Sequence, residues 1–180
     1  MNLVILVAHD LNNLIGYNNV IPWHYPEYVD WKPYIKYDLA FFKKATVNRT
    51  IIVGRTTYQT LPKAPLPNRT NLVISKRNNF DKDSSETAKV ITCPSLEKAF
   101  ELAPSNEEVY IVGGAQIYDQ TLPKVNKIYR TQFLFKFEGG TGNRVFFPKI
   151  NESEWVYETL NVLKDSHNNP KVIFERLIRK

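Results

Sequence analysis

Two adjacent glycines, Gly113 and Gly114, follow directly on an apolar run at residues 109–112, and a helix-like segment begins straight after them. A tight turn between a strand and a helix directs backbone N–H groups and a helix N-terminus at one point, which suits a phosphate. The motif indicates a nucleotide cofactor, although a turn that binds nothing is the commoner use of Gly-Gly.

Asp38 is the second residue that suggests chemistry, because helical spacing places it on an apolar stripe with Ile35, Phe42 and Ala45. Burial raises the pKa of a carboxyl group unless a cationic or hydrogen-bonding ligand stabilises its charge, and both situations are typical of sites that transfer protons. The alternative is an acid near a helix N-terminus, favoured by the helix dipole. Both interpretations stay open at this point.

The composition limits the partners. The net charge is +6 and the pI is near 9.3, but Lys and Arg are scattered along the chain, so a ligand with several phosphates or carboxylates fits better than a nucleic acid. Cys93 is the only cysteine, and His9, His24 and His167 lack ligand spacing, so no metal is expected.

The 180 residues, 43% of them hydrophobic, predict one soluble domain over residues 1–180. The apolar runs are too short to cross a membrane, and the N-terminus lacks the pattern of a signal peptide. We therefore expect a cytoplasmic protein with no membrane partner.

Short apolar runs alternate with helical segments. Strands buried on both faces are predicted at residues 3–8, 51–53, 72–74 and 109–112. Helices are predicted at residues 37–46, 56–61, 95–102 and 115–120. Ser95 suits the N-cap of the third helix, and Pro104 suits its end. This alternation predicts a parallel sheet with crossover helices.

The last third of the chain has a different pattern. Residues 129–137 alternate with a period of two, which is typical of an antiparallel strand, and residues 155–163 and 171–178 predict a hairpin. The predicted fold is therefore α/β, a single domain with a mixed, mostly parallel twisted sheet flanked by helices and a C-terminal antiparallel hairpin. Polar residues 11–23 and 77–87 are expected to be surface loops, the first long enough for a lid.

Five segments in order resemble the dihydrofolate reductase family, and Thr131 follows them in its strand. They are Leu-Ile-Gly and Ile-Pro-Trp within residues 14–23, Asp-Leu-Ala-Phe-Phe-Lys at 38–43, Val-Gly-Arg-Thr-Thr-Tyr at 53–58, Pro-Leu-Pro-Asn-Arg-Thr-Asn at 65–71 and Val-Gly-Gly-Ala-Gln-Ile-Tyr at 112–118. The resemblance implies reduction of 7,8-dihydrofolate by NADPH, with hydride transfer to C6 and protonation of N5. It also implies a role in one-carbon metabolism and thymidylate synthesis, binding of antifolates, and a monomer.

The resemblance also implies the roles of residues. Asp38 anchors the pterin ring, Thr131 orients its carboxylate, and Trp23 completes the catalytic set. The substrate-binding residues implied are Leu6, Ala8, Asp38, Leu39, Phe42, Thr60, Leu61, Leu66, Arg69, Val112, Tyr118 and Thr131. The NADPH-binding residues implied are Ala8, Ile15, Gly16, Asn19, Val20, Gly54, Arg55, Thr56, Thr57, Ser75, Lys76, Gly113, Gly114, Ala115, Gln116, Ile117 and Tyr118. The Gly113-Gly114 peptide bond is expected to be cis.

The chain departs from the family pattern in three places. The insertion (residues 24–37) makes a long connection before Asp38 and contains another acid, Asp30. Asp38 is preferred because Leu39, Phe42 and Lys43 follow it with the family's helical spacing, whereas Pro33 is expected to break a helix after Asp30. Ala115 and Gln116 replace a frequent Gly and an occasional Arg. Residues 138–143 are Gly-rich and lack an Asp that in some relatives hydrogen-bonds the mobile loop.

Three rival functions remain. A riboflavin-pathway reductase has a similar fold and cofactor, but Asp38 and Arg69 disfavour it. A nucleic-acid-binding module needs aromatic residues interleaved with basic ones, and Phe133, Phe135 and Phe137 are too apolar in context. A catalytically silent relative is the third alternative.

Overall fold

The structure is a computed structural model that describes the backbone of residues 1–180 and the side chains of all residues except Glu27. Its strands are β1 (Asn2–His9), β2 (Leu14–Tyr17), β3 (Thr50–Gly54), β4 (Arg69–Ile74), β5 (Ala88–Cys93), β6 (Glu108–Ile111), β7 (Lys127–Phe133), β8 (Arg144–Phe146), β9 (Trp155–Lys164) and β10 (Pro170–Arg179). Its α-helices are α1 (Lys32–Thr46), α2 (Arg55–Thr60), α3 (Leu96–Leu102) and α4 (Ala115–Thr121). Short 3-10 helices lie at Pro22–His24, Pro26–Trp31, Asp81–Asp83, Leu122–Lys124 and Glu152–Glu154.

Within the described residues, eight strands form one mixed sheet in the order β5-β4-β3-β6-β1-β7-β10-β9. The pairs from β5 to β1 are parallel, and β10 is antiparallel to both β7 and β9. Strands β2 and β8 form a separate antiparallel pair. The predicted mixed α/β fold with a C-terminal hairpin is confirmed.

The chain divides into two compact units. The first contains Met1–Ile5 and Lys43–Val125, and the second contains Leu6–Phe42 and Asn126–Lys180. Aliphatic residues of the parallel strands fill the core of the first unit, among them the fully buried Ile51, Ile52, Leu72 and Ile111. Aromatic residues dominate a core cluster of the second unit, which contains Trp23, Phe133, Val172 and Phe174. The single domain over residues 1–180 stays a prediction.

The helix ends follow local chemistry. The Ser95 side chain accepts a hydrogen bond from the backbone N–H of Lys98 at 3.2 Å, so the predicted cap of α3 is confirmed. Helix α1 begins at Lys32, not at residue 37 as predicted. Pro33 does not break it, because a proline in the first turn lacks only an N–H that has no partner within the helix. Among the described α-helices, none has the length and apolar character needed to cross a membrane.

The strand predictions needed three corrections. Strand β7 ends at Phe133 rather than continuing to residue 137, because the N–H of Phe135 turns back to the carbonyl of Phe133 at 2.9 Å. Residues 11–23 are not an open polar loop, since β2 pairs with β8 and Leu14 is fully buried. Strands β5 and β8 were missed, because Lys89 and Thr92 interrupt the apolar pattern of β5 and because β8 has only three residues.

Candidate active site

In the first unit, the carboxyl ends of three parallel strands lie side by side. Gly54, the last residue of β3, is in register with Ile74, the last residue of β4. Val112 directly follows β6, and its N–H donates to the carbonyl of Ile52 in β3 at 3.0 Å. Open α/β sheets bind ligands at this edge. The segments predicted to bind the cofactor, residues 54–57, 75–76 and 113–118, all begin here.

The Gly113-Gly114 peptide bond is cis, as the resemblance implied. The Gly113 carbonyl accepts a hydrogen bond from the Gly54 N–H at 2.7 Å. A Cβ atom on Gly114 would lie only 2.8 Å from Oγ1 of Thr57, and one on Gly54 would lie 3.3 Å from Ile117. Because these residues have no side chain, the backbone at the strand ends stays accessible to a ligand. This arrangement fits the pyrophosphate of a dinucleotide.

Polar and basic residues lie around the glycines. Arg55 and Lys76 are exposed, and the Arg55 guanidinium donates to Oε1 of Gln59 at 3.2 Å. Ser75 is buried, and its hydroxyl oxygen accepts from the N–H of Asn78 at 3.0 Å. Because they follow β3 and β4, these side chains lie at the same sheet edge as the glycine turn. The positive charges of Arg55 and Lys76 and the hydroxyl group of Ser75 suit the additional phosphate that distinguishes NADPH from NADH.

Replacing Gly114 by Ala is expected to weaken NADPH binding about tenfold or more, because the added methyl group overlaps Thr57 and shifts the turn, a typical cost of about 1–3 kcal/mol for overpacking. NADPH titration by fluorescence measures this change. Gly140→Ala is the matched control, because no atom lies within 4 Å of a Cβ placed there. Equal NADPH affinity in both variants and the parent would contradict the assignment of Gly114.

Arg69, the first residue of β4, has a fixed side chain. It is 8% exposed, its Nε donates to Oγ1 of Thr46 at 2.8 Å, and its Nη1 donates to the carbonyl of Pro67 at 2.6 Å. Burial lowers its pKa from the ordinary value, but a guanidinium stays charged at neutral pH. The two hydrogen bonds hold the plane of the guanidinium, which suits two-point recognition of a carboxylate.

Two residues that position this region, Asn71 and Thr46, are not among the predicted site residues. Asn71 is fully buried, accepts from the N–H of Leu66 at 3.1 Å and donates to its carbonyl at 3.1 Å, so it ties residues 66–69 to β4. In the sequence, Asn71 directly precedes the apolar run at residues 72–74, and a polar amide at the start of a buried strand could have indicated its structural role. Thr46, the partner of Arg69, gave no such indication, because it lies 23 positions away in the chain.

The other substrate residues predicted in this unit differ in exposure. Leu61 and Leu66 are partly buried, and Thr60 is exposed. Val112 and Tyr118 are buried, and Tyr118 packs beside Gly113, where a Cβ atom would lie 3.3 Å from its hydroxyl. The structure therefore brings Tyr118 to the glycine turn.

In the second unit, Asp38 is the seventh residue of α1, beyond its first turn, which contains no acid. The helix dipole therefore does not explain it. The residue keeps some exposed surface, but its carboxyl group is enclosed by protein, and this desolvation raises its pKa to about 6. A hydrogen bond with the Thr131 hydroxyl opposes the shift. Thr131 is 1% exposed on β7, so the predicted pair of Asp38 and Thr131 is brought together.

An aromatic cluster lies beside this pair. Trp23 is 2% exposed and stacks on Phe133 at a centroid distance of 4.3 Å. Ala8, at the end of β1, packs against the same cluster. Leu6 is buried and Phe42 is partly buried, whereas Leu39 is 52% exposed.

Hydrogen bonds to side chains, in addition to the pairing of β2 with β8, hold residues 11–23 in place, and this segment contains four of the predicted cofactor residues. The Asp10 carboxylate, fully buried, accepts from the N–H groups of Asn12 and Leu14 at 2.8 Å each and from that of Phe137 at 2.9 Å. At the turn, Oδ1 of Asn18 accepts from the N–H of Asn143 at 2.9 Å. The four predicted residues range from partly buried (Ile15, Gly16) to exposed (Asn19, Val20).

The edge of the parallel sheet with its glycine turn is typical of the class of α/β proteins that bind a nucleotide at the carboxyl ends of their strands. A family model described as dihydrofolate reductase matches residues 2–179. The dihydrofolate reductase of Haemophilus influenzae is 35% identical over 181 residues, covering 100% of both chains. That of Neisseria meningitidis is 39% identical over 153 residues, covering 84% of this chain and 83% of the relative. The chain belongs to the dihydrofolate reductase family.

A solved structure agrees with this assignment. Dihydrofolate reductase from Enterococcus faecalis, complexed with NADP(H) and RAB-propyl, superposes with a TM-score of 0.74 at 29% identity. The match covers 99% of this chain and 96% of that one.

Proposed function

We propose that the protein reduces 7,8-dihydrofolate to 5,6,7,8-tetrahydrofolate with NADPH. Family membership over residues 2–179 supports this reaction. The observation that carries it is the enclosed carboxyl group of Asp38, which is hydrogen-bonded to Thr131 and has a pKa raised to about 6. A carboxyl group with such a pKa is suited to a reaction that adds a proton to its product near neutral pH.

NADPH is the proposed cofactor, and bound NADPH supplies the hydride that reaches C6 of the pterin. Gly54, Gly113 and Gly114 provide the backbone for its pyrophosphate, with Thr56, Thr57, Ala115, Gln116 and Ile117 beside them. Arg55, Ser75 and Lys76 provide charge and hydrogen bonds for its 2′-phosphate. The solved relative that binds NADP(H) supports this choice.

Asp38 is the proposed anchor of the pterin. Its carboxylate accepts hydrogen bonds from the 2-amino group and the neighbouring ring N–H, and this negative charge favours protonation at N5. Thr131 donates its hydroxyl hydrogen to the carboxylate and so holds one oxygen in place for the pterin. Trp23 packs on Phe133 and excludes water beside the ring.

Recognition of the rest of the substrate is assigned to apolar side chains and one cation. Leu39, Phe42, Leu61 and Leu66 are proposed to contact the pterin and aminobenzoyl rings. Arg69 is proposed to bind the glutamate α-carboxylate with the N–H groups that its contacts with Thr46 and Pro67 orient.

The direct test is the loss of NADPH absorbance when dihydrofolate is added. Turnover is expected with dihydrofolate, and inhibition is expected with a diaminopyrimidine antifolate, because its amino groups match the Asp38 carboxylate. The ribosylamino-pyrimidine of the riboflavin pathway is the control substrate, and no turnover is expected with it. Turnover of the pyrimidine alone would favour the riboflavin-pathway reductase, and no turnover of either substrate would favour a silent relative. We also propose that the enzyme acts in the cytoplasm as a monomer.

A further inference from the structure

The insertion (residues 24–37) has no role in the proposed reaction, yet two of its tyrosines, Tyr25 and Tyr28, pack against a buried cluster that includes Leu14 and Tyr17 of the preceding loop. The Tyr25 ring meets the Tyr17 ring edge-on at a centroid distance of 5.6 Å. The Tyr28 ring lies 4.9 Å from Phe135 and stacks on Phe137 at 5.1 Å. Tyr17 and Phe137 form one buried cluster with Leu14, against which both insertion tyrosines pack.

The hydroxyl groups of the same two tyrosines make directed contacts. Oη of Tyr25 donates to the carbonyl of Tyr17 at 3.2 Å. That carbonyl also accepts from the N–H of Val20 at 2.9 Å, which closes the turn containing Asn18 and Asn19. Tyr25 therefore contacts the base of the turn that presents Asn19 and Val20.

Oη of Tyr28 accepts from the N–H of Glu138 at 3.0 Å, at the start of the Gly-rich segment 138–143. This segment pairs with the same turn, since Asn18 and Asn143 exchange hydrogen bonds at 2.9 Å in both directions. Tyr25 thus contacts the turn directly, and Tyr28 contacts the segment on which the turn rests.

The rings have little space to move. The Gly-rich segment passes so close to Tyr17 that a Cβ atom on Gly142 would overlap its ring. The Arg144 guanidinium lies 5.7 Å from the Tyr17 ring and 5.7 Å from the Phe137 ring. Tyr17 is therefore in contact with Gly142, Arg144, Phe137 and the insertion residue Tyr25.

We propose that the insertion is a positioning element for residues 11–23, and that Tyr25 and Tyr28 are the residues through which it acts. The expected effect on NADPH affinity rests on the proposed function, because Ile15, Gly16, Asn19 and Val20 are the residues proposed to contact NADPH. A loop held in its binding conformation before the ligand arrives loses less conformational entropy on binding. The insertion therefore raises the affinity for NADPH without contacting it.

Tyr25→Phe and Tyr28→Phe test the proposal, because each removes one hydroxyl group and keeps the ring. In the ligand-free protein, loss of one net hydrogen bond of about 1 kcal/mol in Tyr25→Phe is expected to shift the opening equilibrium of the loop about fivefold. Hydrogen–deuterium exchange in residues 11–20 is expected to accelerate about two- to threefold as a result. The same acceleration is expected in residues 138–143 for Tyr28→Phe, and both segments are affected in the double variant. The Kd for NADPH is expected to rise about twofold in each single variant, because the loop is in its binding conformation for a smaller fraction of the time.

Tyr37→Phe is the matched control, because this tyrosine is in the same insertion and is 48% exposed. It is expected to exchange and bind NADPH like the parent protein. Unchanged exchange in the double variant would overturn the proposal, and so would an exchange increase that spread equally to β3 and β4. Faster loop exchange with an unchanged Kd for NADPH would also overturn it. Failure of the parent protein to reduce dihydrofolate would instead overturn the proposed function, because the exchange measurement does not depend on turnover.

Discussion

Asp38→Asn is expected to reduce dihydrofolate turnover at pH 7 by a factor of about 10²–10⁴, the usual contribution of a positioned acid–base group. The amide removes the negative charge that favours protonation at N5, and its NH2 group faces the N–H donors of the pterin. Part of the activity is expected to return on acidification, because more of the substrate then arrives protonated. Turnover measured from pH 5 to pH 8 under saturating NADPH checks both parts.

Asp30→Asn is the matched control for this variant, because it makes the same chemical change in the exposed part of the insertion. It is expected to keep the activity of the parent protein. This comparison also decides between the two acids that follow Trp23. Full activity in Asp38→Asn with a loss in Asp30→Asn would show that the pterin anchor was assigned to the wrong residue.

The raised pKa of Asp38 also predicts how the same variant changes stability. Folding shifts this pKa from 3.8 to about 6, so between these values the folded protein binds more protons than the unfolded chain. Asp38 therefore makes its full contribution to the free energy of unfolding below pH 3.8, and this contribution is lost as the pH rises through 6. Asp38→Asn removes this loss, and at pH 8 it is expected to be more stable than the parent by about 1–3 kcal/mol.

Thermal unfolding at pH 3 and pH 8 measures this difference, which is expected to vanish at the lower pH. A variant that is less stable than the parent at pH 8 would mean that the carboxylate is stabilised by the fold rather than strained by it. The expected gain in stability with a loss of turnover is the signature of a group retained for function.

The parts of the fold that the sequence predicted are those specified by neighbouring residues. The apolar runs at residues 3–8, 51–53 and 72–74 are strands because parallel strands buried on both faces need continuous apolar side chains. Ser95 caps α3 through a hydrogen bond that spans only three residues. Strand β2 was not predicted, because its four residues are flanked by asparagines on both sides and form a strand through pairing with β8, which is distant in the chain.

The same distinction applies to the candidate site. The Gly113-Gly114 turn and the apolar stripe around Asp38 are local patterns, and both were predicted. The contact between Arg69 and Thr46 joins residues 23 positions apart, and the contact between Tyr28 and Glu138 joins residues 110 positions apart. Such pairs leave no trace in the local pattern, because either residue alone is an ordinary polar side chain.

Arg69→Leu is expected to weaken dihydrofolate binding by about 2–4 kcal/mol, the usual effect of removing one partner of a desolvated charge pair. The loss is expected in KM, with kcat little changed, because the glutamate carboxylate is remote from the reacting C6 and is held equally in the ground and transition states. Initial rates over a range of dihydrofolate concentrations measure both parameters.

Two further variants separate charge from orientation at this position. Arg49→Leu removes an exposed cation that pairs with Glu107 at 3.0 Å and is expected to leave KM unchanged, which excludes a general effect of net charge. Thr46→Val keeps the Arg69 charge but removes the hydroxyl that accepts from its Nε at 2.8 Å, so KM is expected to rise by only about fivefold. A normal KM in Arg69→Leu would remove Arg69 from the substrate site. An effect of Thr46→Val as large as that of Arg69→Leu would mean that the direction of the guanidinium, more than its charge, determines binding of the carboxylate.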